Sequence, residues 1–117
     1  MHHRKERKKL SRDKDHVNSL ERNLITNLII YGKIKTTSKK AKFIQPKIER
    51  VISKVKQYDT VNAIRYLNKI VTIENASRKM MEVYKPKYKD KKSGFTQIYK
   101  IGYRQGDNAE IVQIKLI

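Results

Sequence analysis

The side chains best suited to chemistry here are three histidines, His2, His3 and His16, gathered in the opening stretch "MHHRKERKKLSRDKDH". Imidazoles can hold zinc or move protons. The spacing argues against a metal, because adjacent His2 and His3 point apart in any regular backbone. No cysteine and no close His/carboxylate spacing completes a tetrahedral set. Two histidines are also too few for a purification tag, and "RKERKKL" is no linker. Nucleophilic catalysis fares no better. Ser11, Ser19, Ser38, Ser53, Ser77 and Ser93 have no G-x-S-x-G context, and the eleven carboxylates form no obvious acid/base pair. Asp107 stands beside Arg104 in a turn, where Asp-Asn folds back on its own backbone. Glycines at 32, 94, 102 and 106 make neither a dinucleotide fingerprint nor a P-loop. Neither an enzyme nor a cofactor is expected.

Charge points elsewhere. The chain has 117 residues, 29 Lys/Arg against 11 Asp/Glu, a net charge of +18 and a pI near 10.2. Self-repulsion of that size implies a polyanionic partner, and nucleic acid is the commonest. A membrane surface would need a basic helix with a large apolar face. No run approaches the ~18 apolar residues of a span, and the N-terminus is charged where a signal peptide is apolar. A soluble intracellular protein without a membrane partner is the expectation, and the absence of cysteine fits a reducing compartment.

Three basic clusters stand out. Residues 1–14 carry seven basic and two acidic side chains, and residues 85–92 carry five Lys and one Asp. Lys39, Lys40 and Lys42 crowd the start of a helix, the end where the dipole favours anions. Cations there make sense if an external phosphate sits among them and the unpaired N–H groups. Tyr84, Tyr88 and Phe95 interleave the 85–92 cluster as candidates for stacking on unpaired bases.

The elements that must position these groups are an α+β set in a single domain, residues 13–117, preceded by a basic arm, residues 1–12. Asp13 caps a first helix with Val17, Leu20, Leu24, Leu28 and Tyr31 on one stripe, ended by Gly32. "KIKTT" (33–37) is a short strand. A second helix, capped by Thr37 or Ser38, carries Ala41, Ile44, Ile48, Val51, Ile52 and Val55, with a kink at Pro46. Asp59 caps a third, with Val61, Ile64, Leu67 and Val71 on one face. Thr72 caps a fourth, carrying Ile73, Ala76, Met80 and Tyr84. Pro86 ends the helical region, and 85–94 reads as a mobile charged loop. The end alternates with period two. Tyr99, Ile101 and Tyr103 share one face, as do Val112, Ile114 and Leu116, and "QGDNAE" is the turn between them. About four helices should pack on a small antiparallel sheet made of this hairpin and one further strand.

The pieces "MHHRKERKKLSRDKDH", "ERNL", "IKTTSKKAK", "ERVISKVK" and above all "SGFTQIYKIGYRQGDNAEIVQIKLI" resemble bacterial large-subunit ribosomal proteins of the seventeenth family. The likeness covers roughly 1–28, 34–56 and 94–117, while 57–93 match poorly. It implies a non-catalytic cytoplasmic constituent of the ribosome. Such a protein binds large-subunit ribosomal RNA near the nascent-chain exit region and touches a neighbouring small ribosomal protein. The RNA-binding residues expected on this reading are His3, Arg4, Lys5, Arg7, Lys8, Lys9 and Arg12 of the arm and Arg22 of the first helix. Thr36, Thr37, Lys39, Lys40 and Lys42 join them at the second helix, Lys89, Lys91 and Lys92 in the basic loop, and Arg104 in the hairpin. The alternative on charge alone is a free-standing nucleic-acid binder, such as a nucleoid or RNA-chaperone factor.

Overall fold

Helix caps and β-branched runs set the architecture. In the computed structural model, which describes residues 13–117, Asp13 accepts a hydrogen bond from the His16 N–H at 2.8 Å and opens α1, Lys14–Tyr31. Gly32 closes it in the left-handed region, φ 75°, donating its N–H to the Leu28 carbonyl. β1 (Lys33–Thr37) leads directly into α2 (Ser38–Gln57), a single helix that continues through Pro46. Asp59 caps α3 (Thr60–Asn68) by accepting from the Asn62 N–H. α4 (Glu74–Lys79) runs on through a π-turn, Met80–Tyr84, and a last helical turn, Lys85–Lys87. The wide turn falls where Pro86 has no N–H to give and would crowd the preceding carbonyls, so the ladder loosens ahead of it. β2 (Thr96–Tyr103) and β3 (Glu110–Leu116) form the closing hairpin.

The sheet is antiparallel with order β1-β3-β2, so the last strand lies between the other two. Among the described residues this is the expected α+β class, four helices and a small sheet. The core lies between the helices and one sheet face. Ile25, Leu28 and Ile29 of α1, Ile44, Ile48, Ile52 and Val55 of α2, and Ile114 and Leu116 of β3 close over it. Glu49 fastens β2 to α2, its Oε1 accepting from the Thr96 N–H at 3.2 Å and hydroxyl at 3.0 Å.

Several expectations are corrected. On α3 the buried pair is Ala63 and Leu67, whereas Val61 (57 % exposed) and Ile64 face out. The small Ala63 side chain lets helix backbones approach where Val61 would hold them apart. On α1 the expected Leu28 is buried, but Ile25 and Ile29 from outside the expected stripe are buried with it, and Tyr31 is exposed. Thr72 does not cap α4, since Ile73 holds the cap position. Thr72 bonds back to α1 instead, its N–H donating to Thr26 Oγ1 at 3.1 Å. The 85–94 segment is no mobile loop throughout. Its first part continues the helix and Tyr88 is pinned in the core, with its N–H on the Tyr84 carbonyl.

Candidate nucleic-acid interface

The expected contacts of the arm, His3, Arg4, Lys5, Arg7, Lys8, Lys9 and Arg12, lie outside the described residues. The other expected cations fall in three places. Lys39, Lys40 and Lys42 occupy the first turns of α2, with Lys39 and Lys42 exposed. No acidic residue accompanies them in that first turn, and Thr37 at the cap position makes no side-chain capping bond. The helix therefore presents N–H groups and three ammonium groups together, an arrangement that suits a phosphate oxygen. Thr36 is half-buried on β1 beside this turn.

Lys89 and Lys92 are exposed beyond the last helical turn, with Lys91 half-buried between them. Structure adds Lys56 and Lys85, which periodicity had not singled out. The Lys56 ammonium donates to the Lys91 carbonyl, and Lys85 Nζ donates to the Tyr58 carbonyl at 2.9 Å. Both stitch the basic segment onto the end of α2. Shallow hollows there are lined by Lys56, Lys85 and Lys89 on one side and by Lys56 and Lys92 on the other.

The stacking expectation fails for Tyr84, Tyr88 and Phe95. Tyr88 is 2 % and Phe95 0 % exposed, and Tyr84 is buried with them. Tyr84 and Tyr88 stack at 5.9 Å between ring centroids, and Tyr88 meets Phe95 at 5.0 Å. Burial pushes the Tyr88 phenol up to about 12, and its hydroxyl has no hydrogen-bond partner among the described residues. The basic residues around these rings decorate a piece of core.

Arg22 and Arg104 are engaged within the chain. Arg22 Nη2 lies 3.5 Å from the Val71 carbonyl, next to the Thr26–Thr72 link. Arg104 holds Asp107 through Nε–Oδ1 at 3.1 Å and Nη2–Oδ2 at 2.6 Å, and Asp107 also accepts from the Ala109 N–H. Asp107 thus folds back on its own turn as expected and takes Arg104 with it. Among the described residues no three metal-ligating side chains gather, and no helix is long and apolar enough to cross a membrane.

A compact α+β domain with cations spread over several of its elements defines a class, the small basic proteins. The chain belongs to a particular family within it: the pattern of ribosomal protein L17 matches residues 20–117. The relatives agree. The "Large ribosomal subunit protein bL17" of Clostridium botulinum strain Hall is 37% identical over 110 residues, 94% of this chain and 96% of that protein. That of Clostridium acetobutylicum is 38% identical over 110 residues, with 94% and 96% covered. The same protein of Endomicrobium trichonymphae is 37% identical over 109 residues, with 93% and 92% covered. The chain is therefore a ribosomal protein of the large subunit, not an enzyme, and its place is on the cytoplasmic ribosome. The match runs through 57–93, the stretch where the motif resemblance was weakest.

Proposed function

We propose that the chain binds large-subunit ribosomal RNA at several points, stabilising its folding near the nascent-chain exit region and contacting a neighbouring small ribosomal protein there. Family membership supports the RNA as partner. The observation that carries the mode of binding is the start of α2, where Lys39, Lys40 and Lys42 surround a helix end with no acidic residue. Thr36 and Thr37 flank that phosphate site. Lys89, Lys91 and Lys92 supply a second point of attachment, and the arm, with His3, Arg4, Lys5, Arg7, Lys8, Lys9 and Arg12, a third. Arg22 and Arg104 have weaker claims, since each already meets a partner inside the chain.

The test is a triple change, Lys39→Glu, Lys40→Glu and Lys42→Glu. Acidic groups at a helix start gain roughly 0.3–1 kcal/mol each from the dipole, so the thermal midpoint should hold or rise. Affinity for ribosomal RNA and incorporation into large subunits should fall sharply. For the unaltered chain, six or more neutralised phosphates give a log affinity–log salt slope steeper than roughly −4. Normal assembly of the triple variant would show that these lysines only face solvent.

A further inference from the structure

The outward face of the three-stranded sheet carries an electrostatic conflict. Register and alternation place Lys33, Lys35 and Thr37 of β1, Ile111, Gln113 and Lys115 of β3, and Gln97 and Tyr99 of β2 on the side away from the helices. Lys33 and Lys115 are directly opposite each other. The Leu116 N–H donates to the Gly32 carbonyl just beyond them, so theirs is a non-hydrogen-bonded pair. That is the kind in which side chains approach most closely, with Cβ atoms about 4.5–5.5 Å apart. Lys35 is the diagonal neighbour of Lys115. Like charges facing each other across a ladder destabilise it.

Nothing within the face relieves this. Its residues include no carboxylate, and the ion pairs among the described residues use Lys47, Arg78, Lys100 and Arg104 instead. The three lysines are all exposed. Beside them, in the row Lys35–Gln113–Tyr99, stands a tyrosine that is 43 % exposed, its hydroxyl donating to Gln97 Oε1 at 2.7 Å. That bond tethers the edge of the ring and leaves its plane available. A bulge between Lys100 and Gly102 then turns Tyr103 to the other side. The face is thus a short basic ladder with one planar aromatic group and two amides.

We infer that this sheet face is a second RNA-binding surface, with Lys33, Lys35 and Lys115 gripping adjacent phosphates and Tyr99 stacking on an unpaired base. A phosphate between Lys33 and Lys115 removes the conflict that the free sheet carries, and a ring beside paired cations is how sheet platforms read unpaired RNA. An apolar protein partner would leave three ammonium groups desolvated and unpaired, at high cost. The inference rests on the ribosomal RNA reading above and adds to it a site that the α2 start does not include.

The experiment uses the full chain and a transcript of large-subunit ribosomal RNA. In one variant Lys33→Gln, Lys35→Gln and Lys115→Gln are combined, and in another Tyr99→Leu stands alone. The lysine variant should make the salt slope shallower by roughly two, at about 0.7–0.9 per lost phosphate contact, while its thermal midpoint holds or rises. Tyr99→Leu should weaken binding roughly tenfold without changing the slope. Hydroxyl-radical footprinting should show the sheet variant losing one set of protected nucleotides and keeping those that depend on Lys39, Lys40 and Lys42. An unchanged slope and footprint, in a protein whose α2-start variant does lose binding, would overturn the sheet site alone. So would normal RNA binding with failed assembly, which would assign the face to a protein neighbour. No binding by the unaltered chain would overturn both readings.

Discussion

Two stretches near the C-terminus look alike in composition and behave oppositely. Residues 84–95 and 97–103 each mix lysine with aromatic rings. In the first, Tyr84, Tyr88 and Phe95 turn inward and form one aromatic cluster under a cationic skin. In the second, Tyr99 and Tyr103 are exposed, the latter by 70 %, although they lie on a strand of alternating pattern. A mixture of cations and rings therefore does not define a stacking surface. What decides is whether the element has a core to cover. The π-turn and last helical turn pack on α3 and α2 and must bury their rings, whereas Tyr99 lies on a sheet face with nothing among the described residues folded over it, and Tyr103, turned by the bulge to the other side, is left uncovered there.

The largest effect should come from breaking that distinction at Tyr88. Tyr88→Ala or Phe95→Ala removes a fully buried ring, a loss of about 3–5 kcal/mol. Chemical denaturation should show a domain close to unfolding at room temperature, with RNA binding lost as a consequence. If the variant stays folded at the original midpoint and loses only RNA affinity, the rings are a binding surface and the comparison collapses.

A smaller change sharpens it. The Tyr88 hydroxyl is buried without a partner among the described residues. Tyr88→Phe removes a polar group whose desolvation is not repaid, so stability should hold or increase by up to about 1–2 kcal/mol. RNA affinity should not move. A drop of that size in stability would mean that the hydroxyl does find a partner in the folded protein.

Much of this was legible beforehand, and the reasons for the rest are physical. Capping is a local code, so Asp13, Gly32 and Asp59 marked their helix ends correctly. The α2 lysines are legible for the same reason, since they adjoin a cap. Thr72 shows where a local code stops. Its hydroxyl could cap, but Thr26 on a distant helix draws it away, with Thr26 Oγ1 accepting from both the N–H and the hydroxyl of Thr72. On α3 the period showed that one face is buried but not which, because Val61 and Ile64 are apolar too. Packing against α2 selected the smaller Ala63. The sheet face was the least legible part. Lys33 and Lys115 are far apart in the sequence, and only the strand order β1-β3-β2 sets them opposite each other.

The smallest effect belongs to the hairpin tip, where Arg104 offers the counterpart to the unpaired sheet lysines. Its guanidinium already holds Asp107, and that contact lowers the Asp107 carboxyl from its ordinary 3.8 to about 2. A carboxylate held below its unfolded value adds stability above about pH 4, and this is lost as pH falls towards about 2. The pair is fully exposed, so the contribution is small and weakened by salt. Asp107→Asn should therefore flatten the acid limb of the stability curve between about pH 4 and pH 2 by a slight amount, measured by thermal midpoint across that window. The same change leaves Arg104 without its carboxylate and raises the net charge by one. If cations count for RNA only where no carboxylate answers them, affinity at low salt should rise modestly towards what a sheet lysine supplies. A fall instead would mean that the Arg104–Asp107 pair itself shapes the surface the RNA meets, and that neutralised cations belong in the interface after all.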